Sequence, residues 1–174
     1  MTTIPRFPFL PMALVIGAGV CYADAAAHIA RLYPSFGALI ERIGAVQVRN
    51  AGTIGGNIAN ASPIGDTPPA LIAAGARLAL ASLGGTRLIA LEDYFLGPGK
   101  QDRRPGEYIA AIHVPKPRKD AAFRVYKVAK RHDQDISAVC GAFALDIADG
   151  AIAAARIAYG GMAATPRRAP HAEA

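Results

Sequence analysis

Residues 46–66, VQVRNAGTIGGNIANASPIGD, set closely spaced glycines among short β-branched and polar side chains, in a chain that is 52% hydrophobic. Gly52, Gly55 and Gly56 permit positive φ and a close approach of backbone to another surface. Thr53, Asn57, Asn60, Ser62 and Asp66 add hydroxyl, amide and carboxylate groups. An isolated G-x-x-G-G is most economically a connection between strands. The length and polarity of this run point instead to a ligand loop. Main-chain N–H groups bared by glycine would capture a phosphate or a flat heterocycle, each bond to a charged oxygen contributing about 1.5–3 kcal/mol.

Outward from this run, the pattern predicts an α+β fold. Upstream, residues 14–16 are a buried strand that Gly17-Ala18-Gly19 turns toward a helix. Gly17 and Gly19 open a G-x-G-x-x-G pattern whose sixth position is Tyr22, so the dinucleotide fingerprint fails and a tight turn suffices. Asp24 is expected to cap a helix running to about Leu32 and ended by Pro34, with a short helix over residues 36–43 after it. Downstream, Thr67 caps a helix whose first turn Pro68 presets and which ends near Gly75. Asp66 supports that cap or orients a ligand hydroxyl. Residues 77–82 and 86–91 alternate about Gly84-Gly85 as a hairpin. Residues 92–95 form a helical turn, 97–106 a loop, and 107–114 a strand closed by Pro115. Beyond PKPRKD at 115–120 the pattern turns strand-rich: residues 123–129, then 139–147 joined to 152–159 across Asp149-Gly150.

Three separated motifs occur in an order that resembles the flavin-binding part of xanthine dehydrogenase, in particular the bacterial small subunit. They are VRNAGTIGGNIANASPIGD at 48–66, FRVYKVAKRHDQDIS at 123–137 and ARIAYGGMAATPRRA at 155–169. The resemblance implies a truncated PCMH-type FAD-binding domain over residues 13–115. A strand-rich subdomain like the CO-dehydrogenase-flavoprotein C-terminal domain follows over 121–174, and residues 1–12 are an unmatched lead. It further implies a molybdenum hydroxylase in which electrons from a purine, xanthine or hypoxanthine, leave a molybdopterin centre, cross 2Fe-2S clusters and reach FAD, which reduces NAD. The iron–sulfur domain and the molybdopterin-binding large subunit are then partners. Carried over by position, Thr53, Ile54, Gly55, Gly56 and Asn57 match the loop at the flavin ribityl and phosphate region. Asp66 matches a carboxylate, Ile109 an apolar contact and Lys127 a basic contact. Ile43 falls where some members carry an aromatic flavin contact, and Arg131 to Asp135 match a mobile loop beside the isoalloxazine ring. The family's upstream glycine-rich pyrophosphate loop has no counterpart here, so the chain is expected to be an interior piece that binds FAD poorly alone. The alternative is a flavin-free assembly or docking fragment of the same complex.

Composition excludes more than it selects. A chain of 174 residues can bury a substantial core. The net charge of +6 and pI of about 9.6 imply anionic partners. Lys116, Arg118, Lys119, Arg124, Lys127, Lys130 and Arg131 cluster with only Phe123 and Tyr126 as aromatics and no nucleic-acid module, so a dinucleotide is the simpler partner. Cys21 and Cys140 stand far apart and cannot assemble a cluster that takes four thiolates; no metal site is expected. The apolar stretch ALVIGAGV at 13–20 is far below the roughly 20 residues of a membrane span and lacks a signal-peptide pattern, which implies a cytoplasmic protein. Ser137 lies near Asp135, but no histidine is placed to activate it, so no catalytic residue is assigned.

Overall fold

A computed structural model describes residues 13–174; the lead at 1–12 lies outside the described residues. The chain is α+β. Strand β1 (Ala13–Gly17) leads into five helices: α1 (Tyr22–Leu32), α2 (Pro34–Glu41), α3 (Val46–Ala51), α4 (Ile54–Asn60) and α5 (Thr67–Ala73). The hairpin β2 (Arg77–Ser82) and β3 (Gly85–Ala90) follows, then a 3-10 turn (Leu91–Tyr94) and a ribbon of β4 (Phe95–Gly97) and β5 (Lys100–Gln101). Next come β6 (Tyr108–Pro115), β7 (Ala121–Val128), β8 (Val139–Ala148), β9 (Ala151–Gly160), β10 (Arg167–Arg168) and α6 (Pro170–Glu173).

Two four-stranded antiparallel sheets result, in the orders β1-β6-β2-β3 and β10-β9-β8-β7. β1 and β6 pair from Ala13 opposite Pro115 to Gly17 opposite Ala111, so the strand before the five helices and a strand after them join in one sheet. The β8–β9 hairpin turns through Asp149 (φ 51°) and Gly150 (φ 76°), the two positive values a type I′ turn demands. Buried Ile16, Phe36, Ile54, Leu78, Ile112 and Ala158 belong to one continuous apolar cluster that spans both sheets. Across the join, Tyr33, which links α1 to α2, meets Phe123 of β7 edge-on, ring centroids 4.6 Å apart, and donates its hydroxyl to the Pro115 carbonyl at 2.7 Å.

Several local expectations change. The run at 46–60 is two short helices, not a loop. Thr53 ends the intervening link as the N-cap of α4, its Oγ1 accepting the Gly56 N–H at 2.9 Å. Neither Gly52, Gly55 nor Gly56 takes a positive φ. Gly55 is required for close approach: a Cβ there would stand 2.5 Å from both the Cβ and the carbonyl oxygen of Ala18. Cys21, not Asp24, is the N-cap of α1, and Asp24 lies in the first turn, where its charge favours the helix dipole. Pro34 opens α2. Gly75 (φ 73°) stops α5 in a Schellman arrangement, the N–H groups of Gly75 and Ala76 returning to Ile72 and Leu71 at 2.9 Å each.

Candidate functional site

Helices α1, α4 and α5 and strands β7 and β8 converge beside the α4–α5 connection. Asn57 projects from α4 and accepts the Thr67 hydroxyl at 2.5 Å, joining α4 to the head of α5. Thr67 also hydrogen-bonds the Tyr22 hydroxyl of α1; burial, the larger effect, pushes that phenol up to about 12, with the Asp66 charge adding to it. Gly65 keeps the connection close, since a Cβ there would lie 3.3 Å from Asn57 Oδ1.

Asp66 holds the N-cap position of α5 but does not cap it. Its carboxylate turns to the second sheet: Lys127 Nζ of β7 lies 2.6 Å from Oδ2, and the Ser137 hydroxyl donates to Oδ1. The Lys127 and Asp66 side chains are 2% and 8% exposed, so each charge is neutralised largely by the other in a low-dielectric setting. The Cys140 thiol approaches the Asp66 carbonyl at 3.6 Å. Burial, reinforced by the Asp66 charge, pushes that thiol up to about 12, so it stays protonated and inert.

The main-chain capture expected of Thr53 to Asn57 is not available in this arrangement. The N–H groups of Ile54 and Gly55 donate to the carbonyls of Val20 and Ala18 at 3.3 and 3.1 Å. Those of Gly56 and Asn57 are taken by Thr53 Oγ1 and the Thr53 carbonyl. Ile54 and Gly55 are buried and serve packing, while Thr53 and Asn57 are partly exposed and Gly56 is exposed. The groups left to meet a ligand are therefore side chains, the Thr53 hydroxyl proton and the Asn57 amide N–H₂, with the buried Lys127–Asp66 pair behind them. Ile109 is buried on β6, the strand against which α4 packs. Ile43 packs on the edge of the core without a ring to stack.

The segment at 129–138 leaves β7 and returns to β8, closed at its base by the Ala138 N–H on the Val128 carbonyl at 2.8 Å. Within it the Asp135 carboxyl is held below its ordinary range, first by the Arg131 N–H at 2.9 Å. Arg42, the C-cap of α2, straps the segment down, its guanidinium reaching the carbonyls of Lys127 at 3.1 Å and His132 at 3.3 Å. Residue-type reasoning missed Tyr22, Thr67 and Cys140 as site neighbours and weighed Ser137 only as a nucleophile; the signal for Ser137 was its place in the second motif. Among the described residues no helix is long and apolar enough to cross a membrane.

Residues 11–117 match the FAD binding domain in molybdopterin dehydrogenase, and residues 124–174 match the CO dehydrogenase flavoprotein C-terminal domain; the chain belongs to this family. It is 39% identical over 131 residues to a glyceraldehyde dehydrogenase medium chain of Sulfolobus acidocaldarius, covering 75% of this chain and 46% of that protein. It is 33% identical over 144 residues to a putative xanthine dehydrogenase FAD-binding subunit of Escherichia coli, covering 82% of this chain and 49% of that protein. The solved CO dehydrogenase of Oligotropha carboxidovorans superposes with a TM-score of 0.87 at 29% identity, covering 93% of this chain and 57% of that one. The chain thus spans about half the length of these curated relatives.

Proposed function

We propose that this chain holds FAD within a cytoplasmic xanthine dehydrogenase-type oxidoreductase. Electrons would arrive from iron–sulfur clusters, the donor purine being oxidised at a molybdopterin centre, with both of these on partner domains or chains; NAD would be the acceptor. The observation that carries the reading is the convergence of the partly exposed Thr53–Asn57 edge with the Asp66–Lys127 pair, bound together by Asn57 and Thr67. Such a site suits a cofactor rich in hydroxyl and anionic groups. Thr53 and Asn57 would donate to its ribityl and phosphate region, and Gly56 would leave the edge open. Ile54 and Ile109 back the site as apolar support, while Gly55 seats α4 close enough to present it. Lys127 would supply the positive charge, shared with Asp66. A bound FAD supplies the exchange between single-electron clusters and a hydride acceptor, the protein contributing position and electrostatics.

Relatives named for glyceraldehyde, xanthine and carbon monoxide share this subunit architecture, which supports assigning donor choice to another chain. A flavin-free docking piece of the same complex is favoured by one observation, the full engagement of the N–H groups of residues 54–57. Titration of the purified chain with FAD, followed by flavin fluorescence, separates the two readings. Saturable quenching supports the first, and its absence at millimolar chain or FAD supports the second. Anaerobic bleaching of bound flavin by NADH then tests the acceptor.

A further inference from the structure

Of the ten residues at 129–138, Ser137 alone is buried, 3% exposed, between Ile136 at 69% and an exposed Ala138. Its hydroxyl is spent on a carboxylate 71 positions away, Oδ1 of Asp66. Lys127 occupies the other oxygen. The two donors come from the two ends of one segment: Lys127 one residue before Val128, Ser137 one residue before Ala138, the pair whose main-chain bond closes the segment. Lysine carries a compact charge on a flexible stem with no preferred direction of approach. A hydroxyl on the opposite oxygen removes the rotation that the lysine leaves free.

We propose that Ser137 is a positioning residue for the flavin site, fixing the Asp66 carboxylate and tying the 129–138 segment to the head of α5. The inference rests on the FAD reading above. It assigns a role to a side chain that touches no ligand itself and acts only through Asp66. Because the segment's other residues are exposed or half-buried and held by Arg42 and by their own Arg131–Asp135 bonds, Ser137 is the contact through which a movement of that segment is felt at Asp66.

The test combines FAD titration with a double-mutant cycle in urea on the full chain, using Ser137→Ala, Ser137→Thr, Asp66→Asn and the Ser137→Ala/Asp66→Asn double variant. Ser137→Ala is expected to weaken FAD binding about tenfold, the loss of one hydrogen bond to a charged group, and Ser137→Thr to restore it. In the cycle, Ser137→Ala should shift the unfolding midpoint in the wild-type background and shift it less once Asp66 is asparagine, whose neutral amide oxygen accepts a weaker bond. Equal FAD affinity of Ser137→Ala and wild type, or additive shifts in the cycle, would overturn the proposal. Absence of FAD binding by the wild-type chain would instead reject the flavin reading, and the cycle would still decide whether Ser137 holds Asp66.

Discussion

Lys127 Nζ and Asp66 Oδ2 stand 2.6 Å apart across 61 positions of sequence, with both side chains almost wholly removed from solvent. A pair so enclosed gains little over an apolar pair of the same volume, yet removal of one member strands a buried charge. Lys127→Met should therefore cost about 3–5 kcal/mol, measured as a fall in the urea midpoint at unchanged slope. Lys127→Met combined with Asp66→Asn should recover part of that loss. A single variant as stable as wild type would show that the carboxylate finds water or another cation.

Neighbouring glycines on α4 should behave oppositely. A Cβ at Gly55 would meet the Ala18 backbone at 2.5–2.7 Å, so Gly55→Ala must push α4 off the turn that follows β1 and should cost about 1–3 kcal/mol or more. Gly56 is exposed, and its added Cβ would meet only Thr53 Oγ1 at 2.8 Å. The gain in helix propensity offsets a disturbed cap, and Gly56→Ala should change stability by less than about 1 kcal/mol. Thermal unfolding followed by circular dichroism distinguishes the two, and FAD titration of Gly56→Ala then reports on the ligand edge without a folding defect.

Acid should expose the Arg87 cluster. Arg87 binds Glu107 at 2.8 Å and Asp102 at 2.8 Å, and this guanidinium holds the Glu107 carboxyl down from 4.5 to about 2. A depressed carboxyl stabilises the fold fully above its unfolded value and loses that contribution as pH falls through the folded one. The contribution of Glu107 is thus complete above about pH 4.5 and fades toward pH 2. Glu107→Gln should flatten the decline in stability over that window, measured by urea unfolding from pH 7 to 2.5; parallel curves for variant and wild type would refute it.

With the N–H groups of residues 54–57 engaged, FAD would rest on a few side-chain donors. The 174-residue chain should therefore bind FAD more weakly than about 1 µM. Fluorescence quenching checks this, and submicromolar binding would show that Thr53, Asn57, Asp66 and Lys127 suffice.

Much of the architecture was legible in the chain itself. Period-two alternation flanked by Gly84-Gly85 and Asp149-Gly150 marks both hairpins, because side-chain direction and turn chemistry are local properties. The T-P-P start and Gly75 stop mark α5 for the same reason. The helices at 46–60 were not legible. In α4, glycine disfavours a helix by about 1 kcal/mol per residue, and the packing of Gly55 on Ala18 and the burial of Ile54 and Ile58, which are tertiary and not local, oppose that preference.

By itself, then, the sequence determined the α+β class, the presence of both hairpins and the motifs that mark the flavin family, while β3 begins at Gly85, one residue earlier than the sequence pattern implies. The tertiary structure alone decided what the site residues do. It buried Lys127 against Asp66, spent the expected main-chain donors inside the fold and brought Ser137 to the carboxylate. The physical reason is that hydrogen-bond partners 61 and 71 positions apart are chosen by how two sheets pack across a shared core, and no local periodicity encodes that choice.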